Sequence, residues 1–363
     1  MIGANMVERE RMESQAGSDL SDRERQVLEA VVRSYVETAE PAGSRNVARR
    51  FELGVSPATV RNTMSDLEEK GYLFHPHASA GRVPTDLAYR IFVEELMRPA
   101  SLSAEERESL QRVLESTTAS AVERLVRNAT QALSVISHEL GVAVAPHLEE
   151  AVLEKLDLIQ VSSKKVLLVA SIRSGMVRTV YVDLPCEVPD DTLVTLALLL
   201  NERLAGLTLR EVRETLSTRM RDAFPDDDPA AEELLNIFMQ SSREIFDFSD
   251  VDGSHVHLGN ASVLANQPEF TSGERLKGLI ELTEQRDLLA AVLGERDHPR
   301  GIHITIGGEH GTKELVDFTL VTAEYRMGGL KGIIGVIGPT RMPYEKVIAI
   351  VGHTSSLVNK ILE

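Results

Sequence analysis

The sequence predicts an α+β fold that is divided among several domains. The chain has 363 residues, more than a single hydrophobic core usually organises. Helical periods dominate the first hundred residues, and two groups of strand-like segments follow, separated by roughly ninety helical residues. Such an interruption indicates an insertion within one α+β domain. The chain is therefore divided into a lead-in (1–19), an N-terminal domain (20–98), an α+β domain in two parts (99–205 and 297–363) and a mainly helical insertion (206–296).

The composition is typical of a globular protein with sizeable cores. Hydrophobic residues make up 42% of the chain and charged residues 26%, which excludes disorder by composition. The single cysteine, Cys186, excludes an internal disulfide and a cysteine-cluster metal site. The sequence has no apolar run of roughly 18 residues and no secretory signal. We expect a soluble, cytoplasmic protein that does not contact the membrane.

Charge is distributed unevenly along the chain. The net charge is −17, which by itself argues against nucleic acid as a partner. Residues 44–85 nevertheless carry six basic side chains against four acidic ones, whereas residues 99–363 carry 26 against 40. A small positive region on an acidic body can bind phosphate locally while the body is repelled. The charge pattern permits DNA binding in one orientation without establishing it.

Two helices are predicted before residue 51. Ser21 and Glu24 have capping-box spacing, and an apolar helical period then runs from Val27 until Pro41 ends it. A second, short helix is expected from Ser44. Its outward face carries cations: Arg45, Arg49 and Arg50.

The third helix has the clearest start signal, with Ser56 as N-cap and Pro57 at the first helical position. Its core face is apolar: Val60, Met64 and Leu67. Small, polar and cationic residues occupy the opposite face and its flanks: Ala58, Thr59, Arg61, Asn62 and Ser65. Acidic residues are confined to its C-terminal half, and Gly71 closes it. The N-terminal half therefore suits a negatively charged partner.

A hairpin is predicted after this helix, from Tyr72–Phe74 and Arg82–Pro84, with a tip that presents His77, Ser79 and Arg82 to the phosphate backbone or minor groove. Three helices and such a hairpin predict a winged helix-turn-helix whose third helix enters the major groove, where Arg pairs with guanine and Asn with adenine. The alternative is a helical bundle with an ordinary solvated third helix. The candidate DNA-contacting residues are Arg45, Arg49, Ser56, Ala58, Thr59, Arg61, Asn62, Ser65, His77, Ser79 and Arg82.

Beyond residue 98, periodicity predicts two groups of strands that belong to one α+β domain. The strands are expected at 155–162, 165–173 and 176–184, then at 301–306, 315–325 and 332–338. Helices are expected at 102–138 (a connecting helix), 189–204, 207–220, 230–246, 274–293 and 343–362.

No catalytic, cofactor or metal site is predicted, so an enzyme is not expected. Gly308–Lys313 lacks the length and ending of a phosphate-binding loop. Asp250–Gly253 lacks the ligands that a calcium loop needs at its first and last positions. His255 and His257 have no evident third ligand.

Four stretches resemble the HrcA heat-inducible transcription repressors of bacteria: 20–45, 55–93, 259–270 and 334–348. They contain the strings SPATVRN, SAGRVPT, NQPEF and GPTRM, and they cover both ends and the middle of the chain in one order. The resemblance implies a winged helix with recognition helix Ser56–Lys70 and wing His75–Pro84, followed by a GAF-like domain interrupted by a dimerisation domain.

The resemblance also implies three partners: double-stranded DNA, a second copy of the chain and the chaperonin. The dimer would bind an inverted repeat upstream of chaperone operons, and the chaperonin would promote its DNA-binding form. Heat would divert the chaperonin to other clients and release repression.

Two alternatives remain open from the residues. One is a small-molecule-responsive regulator that uses the GAF-like domain as its sensor. The other is a DNA-binding module fused to an enzyme, as in biotin ligases, but the glycine-arginine-rich nucleotide loop of those enzymes has no equivalent here, because Ser79–Arg82 lies within the predicted wing.

Overall fold

The computed structural model describes residues 19–77, 80–98, 100–115, 122–146, 148–173, 175–184, 189–220, 235–240, 245–246, 256–294 and 301–362. These residues form an α+β architecture of several parts, with helices packed around a two-stranded hairpin, a five-stranded sheet and a three-stranded sheet. Among them, no helix combines the length and the apolarity that crossing a bilayer requires. The predicted lead-in lies outside this description except for Asp19.

The N-terminal unit contains helices α1 (Asp22–Thr38), α2 (Ser44–Arg50), α3 (Pro57–Glu69) and α4 (Asp86–Ile91) and strands β1 (Leu73–Phe74) and β2 (Val83–Pro84). A π-helical turn, Phe92–Leu96, extends α4. The predicted helix starts are confirmed. The Ser21 backbone N–H donates to Glu24 at 2.8 Å, completing a capping box. The Ser56 hydroxyl accepts the Thr59 backbone N–H at 3.1 Å.

The remaining elements follow in chain order: α5 (Ala104–Glu115), α6 (Val122–Ser137), β3 (Leu140–Val144), β4 (Leu153–Ser162), β5 (Lys165–Ile172), β6 (Val177–Asp183), α7 (Asp190–Leu204), α8 (Leu209–Arg219), β7 (Val256–Leu258), α9 (Ser262–Ala265), α10 (Gly273–Glu284), α11 (Arg286–Gly294), β8 (Ile302–Ile306), β9 (Phe318–Met327), β10 (Leu330–Pro339) and α12 (Tyr344–Leu362).

The base of the hairpin is fixed to the loop between α1 and α2. Ala42 and Arg82 exchange backbone hydrogen bonds of 2.8 and 3.0 Å. Gly81 lies so close to this loop that a Cβ atom there would overlap the carbonyl groups of Pro41 and Ala42. The sequence Ala-Gly-Arg thus brings the hairpin onto the helices by backbone contact alone.

The five-stranded sheet is antiparallel, in the order β7-β3-β10-β9-β8, and both of its faces are buried. One face packs against α6, α12 and the N-terminal unit, and the other against α10 and α11. Alternate residues of β3 supply the two cores, with Ala143 on the first face and Val142 on the second. A Cβ atom at Gly141 would overlap the Thr130 carbonyl, so glycine allows α6 to approach the strand closely.

One carboxyl group is buried beside this sheet. Glu139 is 2% exposed and accepts a hydrogen bond of 3.1 Å from the Gln267 side chain. Burial raises the pKa of Glu139 to about 8, because the charged carboxylate loses its hydration. The side chain is therefore protonated in the folded protein at neutral pH.

The three-stranded sheet, β4-β5-β6, packs on α7 and α8 around a separate core. Asn201 of α7 ties helix to sheet, since its side chain bonds both the N–H and the carbonyl of Leu156 at 2.9 and 2.7 Å. In the described residues this sheet makes no strand pairing with the five-stranded sheet.

Two expectations about the α+β region are wrong. The strands predicted from 155 to 184 form, but they do not join the later group, because β3 occupies the sheet position beside β10 and β7 pairs with the other edge of β3. The chain leaves the five-stranded sheet after β3 and returns at β7, so the interruption begins near residue 148 and not at 206. The predicted connecting helix is two helices, and the second of them, α6, covers the sheet.

Other expectations are confirmed with small shifts. The later strands form as β8, β9 and β10, and the last helix as α12. The helix expected at 274–293 is divided into α10 and α11, which pack on the five-stranded sheet. The helix expected at 230–246 lies largely outside the described residues.

Candidate nucleic-acid interface

The outward face of α3 has the predicted composition. Ala58, Arg61 and Asn62 are exposed, while Thr59 and Ser65 are half-buried on its flanks. The opposite face is fully covered by the core of the N-terminal unit: Val60, Met64 and Leu67. Ser56 is exposed at the N-terminus of α3, where its hydroxyl also lies 2.9 Å from that of Thr59.

Helix α3 and helix α2, which packs against it, together carry three exposed guanidinium groups without acidic partners in the described residues. Arg45 and Arg49 of α2 and Arg61 of α3 are exposed, and none of them forms an ion pair within the described part of the chain. Arg50 differs, because it is paired with Glu37. Unpaired cations next to small polar side chains allow phosphate and base edges to be contacted together.

Arg82 does not occupy the position that the sequence predicted for it. We expected it at the hairpin tip, but its guanidinium lies against α3, 2.8 Å from the Glu68 carboxylate and 3.5 Å from the Ser65 hydroxyl. Its side chain is only 12% exposed. The reason is the backbone pairing with Ala42, which places Arg82 at the base of the hairpin.

Sequence reasoning missed Glu68. Its second oxygen lies 2.8 Å from His75 Nδ1, so one carboxylate joins both ends of the hairpin to α3. The spacing of the two residues could have indicated its role. Glu68 follows Ser65 by three positions and therefore lies on the same side of the helix.

The hairpin tip is described only in part. His77 is exposed, and its carbonyl accepts the Ala80 N–H at 2.9 Å. Ser79 lies outside the described residues. The predicted residues of α2 and α3 are thus exposed or half-buried on two helices that pack against each other, whereas the Arg82 side chain is largely buried against α3.

The segments considered for other chemistry have different outcomes. Gly307–His310 forms a 3₁₀ turn that contacts α4. Asp250–Gly253 and His255 lie outside the described residues, and His257 is buried in β7. No metal-binding cluster of His, Cys, Asp or Glu occurs where the structure describes the chain.

Comparisons with known proteins identify the family. A family model described as the HrcA protein C terminal domain matches residues 123–348. A protein of Chlorobium phaeobacteroides (strain BS1), named "Heat-inducible transcription repressor HrcA", is 37% identical over 354 residues, covering 95% of this chain and 99% of its own. The chain belongs to the HrcA family.

A second HrcA relative, from Geobacter sulfurreducens (strain ATCC 51573 / DSM 12127 / PCA), is 33% identical over 347 residues and covers 95% of this chain and 99% of its own. Both relatives are named for repression of transcription and not for a reaction, which agrees with the expectation that the chain is not an enzyme. A crystal structure described as "a hypothetical protein at 2.2 A resolution" has the same fold, with a TM-score of 0.62 and 20% identity, and covers 95% of this chain and 99% of its own.

Proposed function

We propose that this HrcA protein is a heat-inducible transcription repressor that binds an inverted-repeat operator as a dimer. The observation that carries the proposal is the exposed face of α3, where Arg61 has no acidic partner in the described residues and lies next in sequence to the exposed Asn62. The neighbouring helix α2 packs against α3 and carries two more exposed arginines without ion pairs in the described residues, Arg45 and Arg49. Relatives of 33% and 37% identity with this repressor's name support it. Their names refer to heat, which favours this function over the small-molecule-responsive regulator.

The DNA-binding part is proposed to be the N-terminal unit, acting as a winged helix-turn-helix. In this arrangement α3 lies in the major groove, Arg61 and Asn62 contact base edges, and Arg45 and Arg49 contact phosphates. His77 and Ser79 remain proposed contacts at the hairpin tip. Arg82 is proposed to orient the hairpin through Glu68, because its guanidinium is already engaged there.

The dimer contact is proposed to lie on the three-stranded sheet. The side of this sheet that faces away from α7 exposes three large apolar side chains, at 50%, 59% and 62%: Ile159, Val177 and Tyr181. We call these three residues the outer sheet face. Exposed apolar side chains such as Ile159 and Tyr181, which lie on either side of Leu167 in one cross-strand row, are typical of a protein interface. The segment between β3 and β7 would then be the dimerisation domain, and the two-faced sheet that it interrupts would be the GAF-like domain.

Control by the chaperonin is proposed from the family resemblance. Only folded, paired subunits can place two copies of α3 on two half-sites, so the active fraction depends on how readily the chain reaches that state. Chaperonin would maintain this fraction in growing cells. Heat would divert chaperonin to other clients, reduce the active fraction and release transcription of the chaperone genes.

A footprint on chaperone-operon promoters, with and without purified chaperonin, tests target and control together. We expect protection of an inverted repeat that strengthens when chaperonin is added during refolding. Arg61→Ala should remove the protection. Arg286→Ala, a change of an exposed arginine on α11, should leave it intact. If freshly refolded wild-type protein protects no inverted repeat, the proposed function is wrong.

A further inference from the structure

The N-terminal unit is seated on the five-stranded sheet by polar contacts that play no part in the proposed base contacts. Arg90 of α4 makes a two-pronged ion pair with Glu309, one bond of which is 2.8 Å long, and it also donates to the Ile304 carbonyl at 2.9 Å. The Arg90 and Glu309 side chains are 18% and 24% exposed. Largely desolvated, bidentate pairs of this kind fix direction as well as distance.

The turn after β8 is shaped to receive the start of α4. The Asp86 carboxylate accepts the Gly308 backbone N–H at 2.9 Å and fills the space where a side chain of residue 307 would lie. Gly307 has φ +51°, a conformation that favours glycine. Two successive glycines therefore let the Asp86 side chain enter the turn.

A second set of contacts holds the same orientation from α1. Arg33 donates to both carboxylate oxygens of Glu345 in α12 at 2.6 and 3.2 Å. Tyr89 and Tyr344 pack with ring centroids 5.8 Å apart. The short connection between Leu96 and Ala104 and the apolar core shared with the sheet hold the N-terminal unit close to the body. Within that arrangement the polar contacts fix the direction of α3.

We propose that Asp86, Arg90 and Glu309 are positioning residues that fix the direction of α3 relative to the body and thereby set the half-site spacing that the dimer accepts. This inference rests on the proposed function. Each base pair added between half-sites moves the second by about 3.4 Å and turns it by about 35°. We call the contacts made by Asp86, Arg90 and Glu309 the seat. Two recognition helices that are held in fixed positions can follow this displacement only if the DNA is twisted or the seat is broken.

Gly307→Ala is the variant that opens the seat, because its methyl group would collide with the Asp86 carboxylate. Gly311→Ala is the matched control. Gly311 belongs to the same turn and has φ +70°, but a Cβ atom there meets nothing within 4 Å. Both variants strain the backbone, and only the first disturbs the contact with α4. Glu309→Gln is a second variant that weakens the pairing with Arg90 and retains a side-chain oxygen that can accept the Ile306 backbone N–H.

The rigidity of these contacts is measured without DNA by the spread of the distance between two spin labels, one at residue 58 on α3 and one at residue 331 on β10, in full-length protein whose Cys186 is replaced by serine. The labelled protein is mixed with an excess of unlabelled chains, so that few dimers carry labels on both subunits. We expect a single narrow distribution for the parent and for Gly311→Ala. We expect a broad distribution for Gly307→Ala and Glu309→Gln. Equal widths in all four proteins, or equal broadening in the two alanine variants, would overturn the inference.

Operator spacing is then measured with unlabelled proteins on inverted repeats with zero, one or two inserted base pairs. We expect the parent to lose affinity by about tenfold or more for each insertion, and Gly307→Ala to lose less than about threefold. An unchanged spacing preference in Gly307→Ala contradicts the inference. If the parent binds no inverted repeat, the proposed function fails, whereas the label distances still decide whether the seat is rigid.

Discussion

The exposed face of α3 and the outer sheet face differ in almost every property that governs binding. On α3, small polar side chains flank Arg61, whose guanidinium group has no acidic partner in the described residues. On the outer sheet face, Ile159 and Tyr181 both flank Leu167 in one cross-strand row. In the proposed function, dissolved ions compete with DNA for the first surface, whereas a second subunit displaces water from the second. The contrast predicts that salt and apolar substitutions act on separate steps of one assembly.

The largest expected effect is on the apolar surface. Tyr181→Asp should weaken dimerisation by about a thousandfold or more, because a dimer would bury an unpaired carboxylate from each subunit. The monomer should keep its stability, since Tyr181 is 62% exposed. Sedimentation equilibrium checks the first expectation and thermal melting the second.

Ala291→Asp, on the exposed side of α11, is the control and should remain dimeric. If Tyr181→Asp dimerises like the parent, the outer sheet face is not the interface and the comparison between the two surfaces fails.

A substitution at Glu139, which belongs to neither surface, tests the stability of the body separately from binding. The pKa of Glu139 is about 8 in the folded protein against an ordinary 4.5. Between these values the folded state holds a proton that the unfolded state has lost, so stability falls as pH rises, by at most about 1.4 kcal/mol per unit. Glu139→Gln should therefore stabilise the protein more at pH 8 than at pH 6.

Chemical denaturation of both proteins at the two pH values measures this difference. Gln267→Ala, which removes the hydrogen-bond donor and keeps the carboxyl group, is the control and should retain the pH dependence. A stability gap between Glu139→Gln and the parent that is constant with pH would show that Glu139 is ionised in the folded protein.

Base contacts by α3 should give the next largest effect. Arg61→Ala and Asn62→Ala should each weaken operator binding by about 1–3 kcal/mol and leave affinity for competitor DNA almost unchanged. Competition binding with operator and scrambled duplexes gives both numbers. Equal losses on the two duplexes would contradict base recognition by this helix.

The smallest expected effect separates two arginines by salt. Arg49→Ala should reduce the slope of log affinity against log salt by about one, as the loss of one phosphate contact requires. Arg82→Ala should leave that slope unchanged and lower the melting temperature, because it removes the partner of Glu68. If Arg82→Ala reduces the slope of log affinity against log salt, Arg82 contacts DNA phosphate.

The parts of the fold that follow from local signals were predictable. Ser21, Ser56 and Pro57 indicate where helices start, and the spacing of apolar residues in α3 indicates which face is buried. Both signals are local, because capping and amphipathic burial depend on neighbours within a few positions. For the same reason Ala58, Arg61 and Asn62 are found on the exposed face of α3.

The parts that depend on distant partners were not predictable. The short apolar segment β3 pairs with β10, almost two hundred residues later, and β7 has only three residues. Neither signal outweighs the three longer strands between them, which is why the interruption was placed too late. The position of Arg82 was predicted wrongly for a related reason, since it depends on backbone pairing with Ala42, which precedes α3 in the sequence.

The core beneath the N-terminal helices does not stop at their boundary. Val31 and Met64 belong to the same continuous set of buried side chains as Val336 of the sheet and Val351 of α12. Because the two parts share one core, we expect the N-terminal helices and the sheet to unfold in a single transition on warming. In the proposed repressor, such a transition would turn a gradual rise in temperature into full release of the gene.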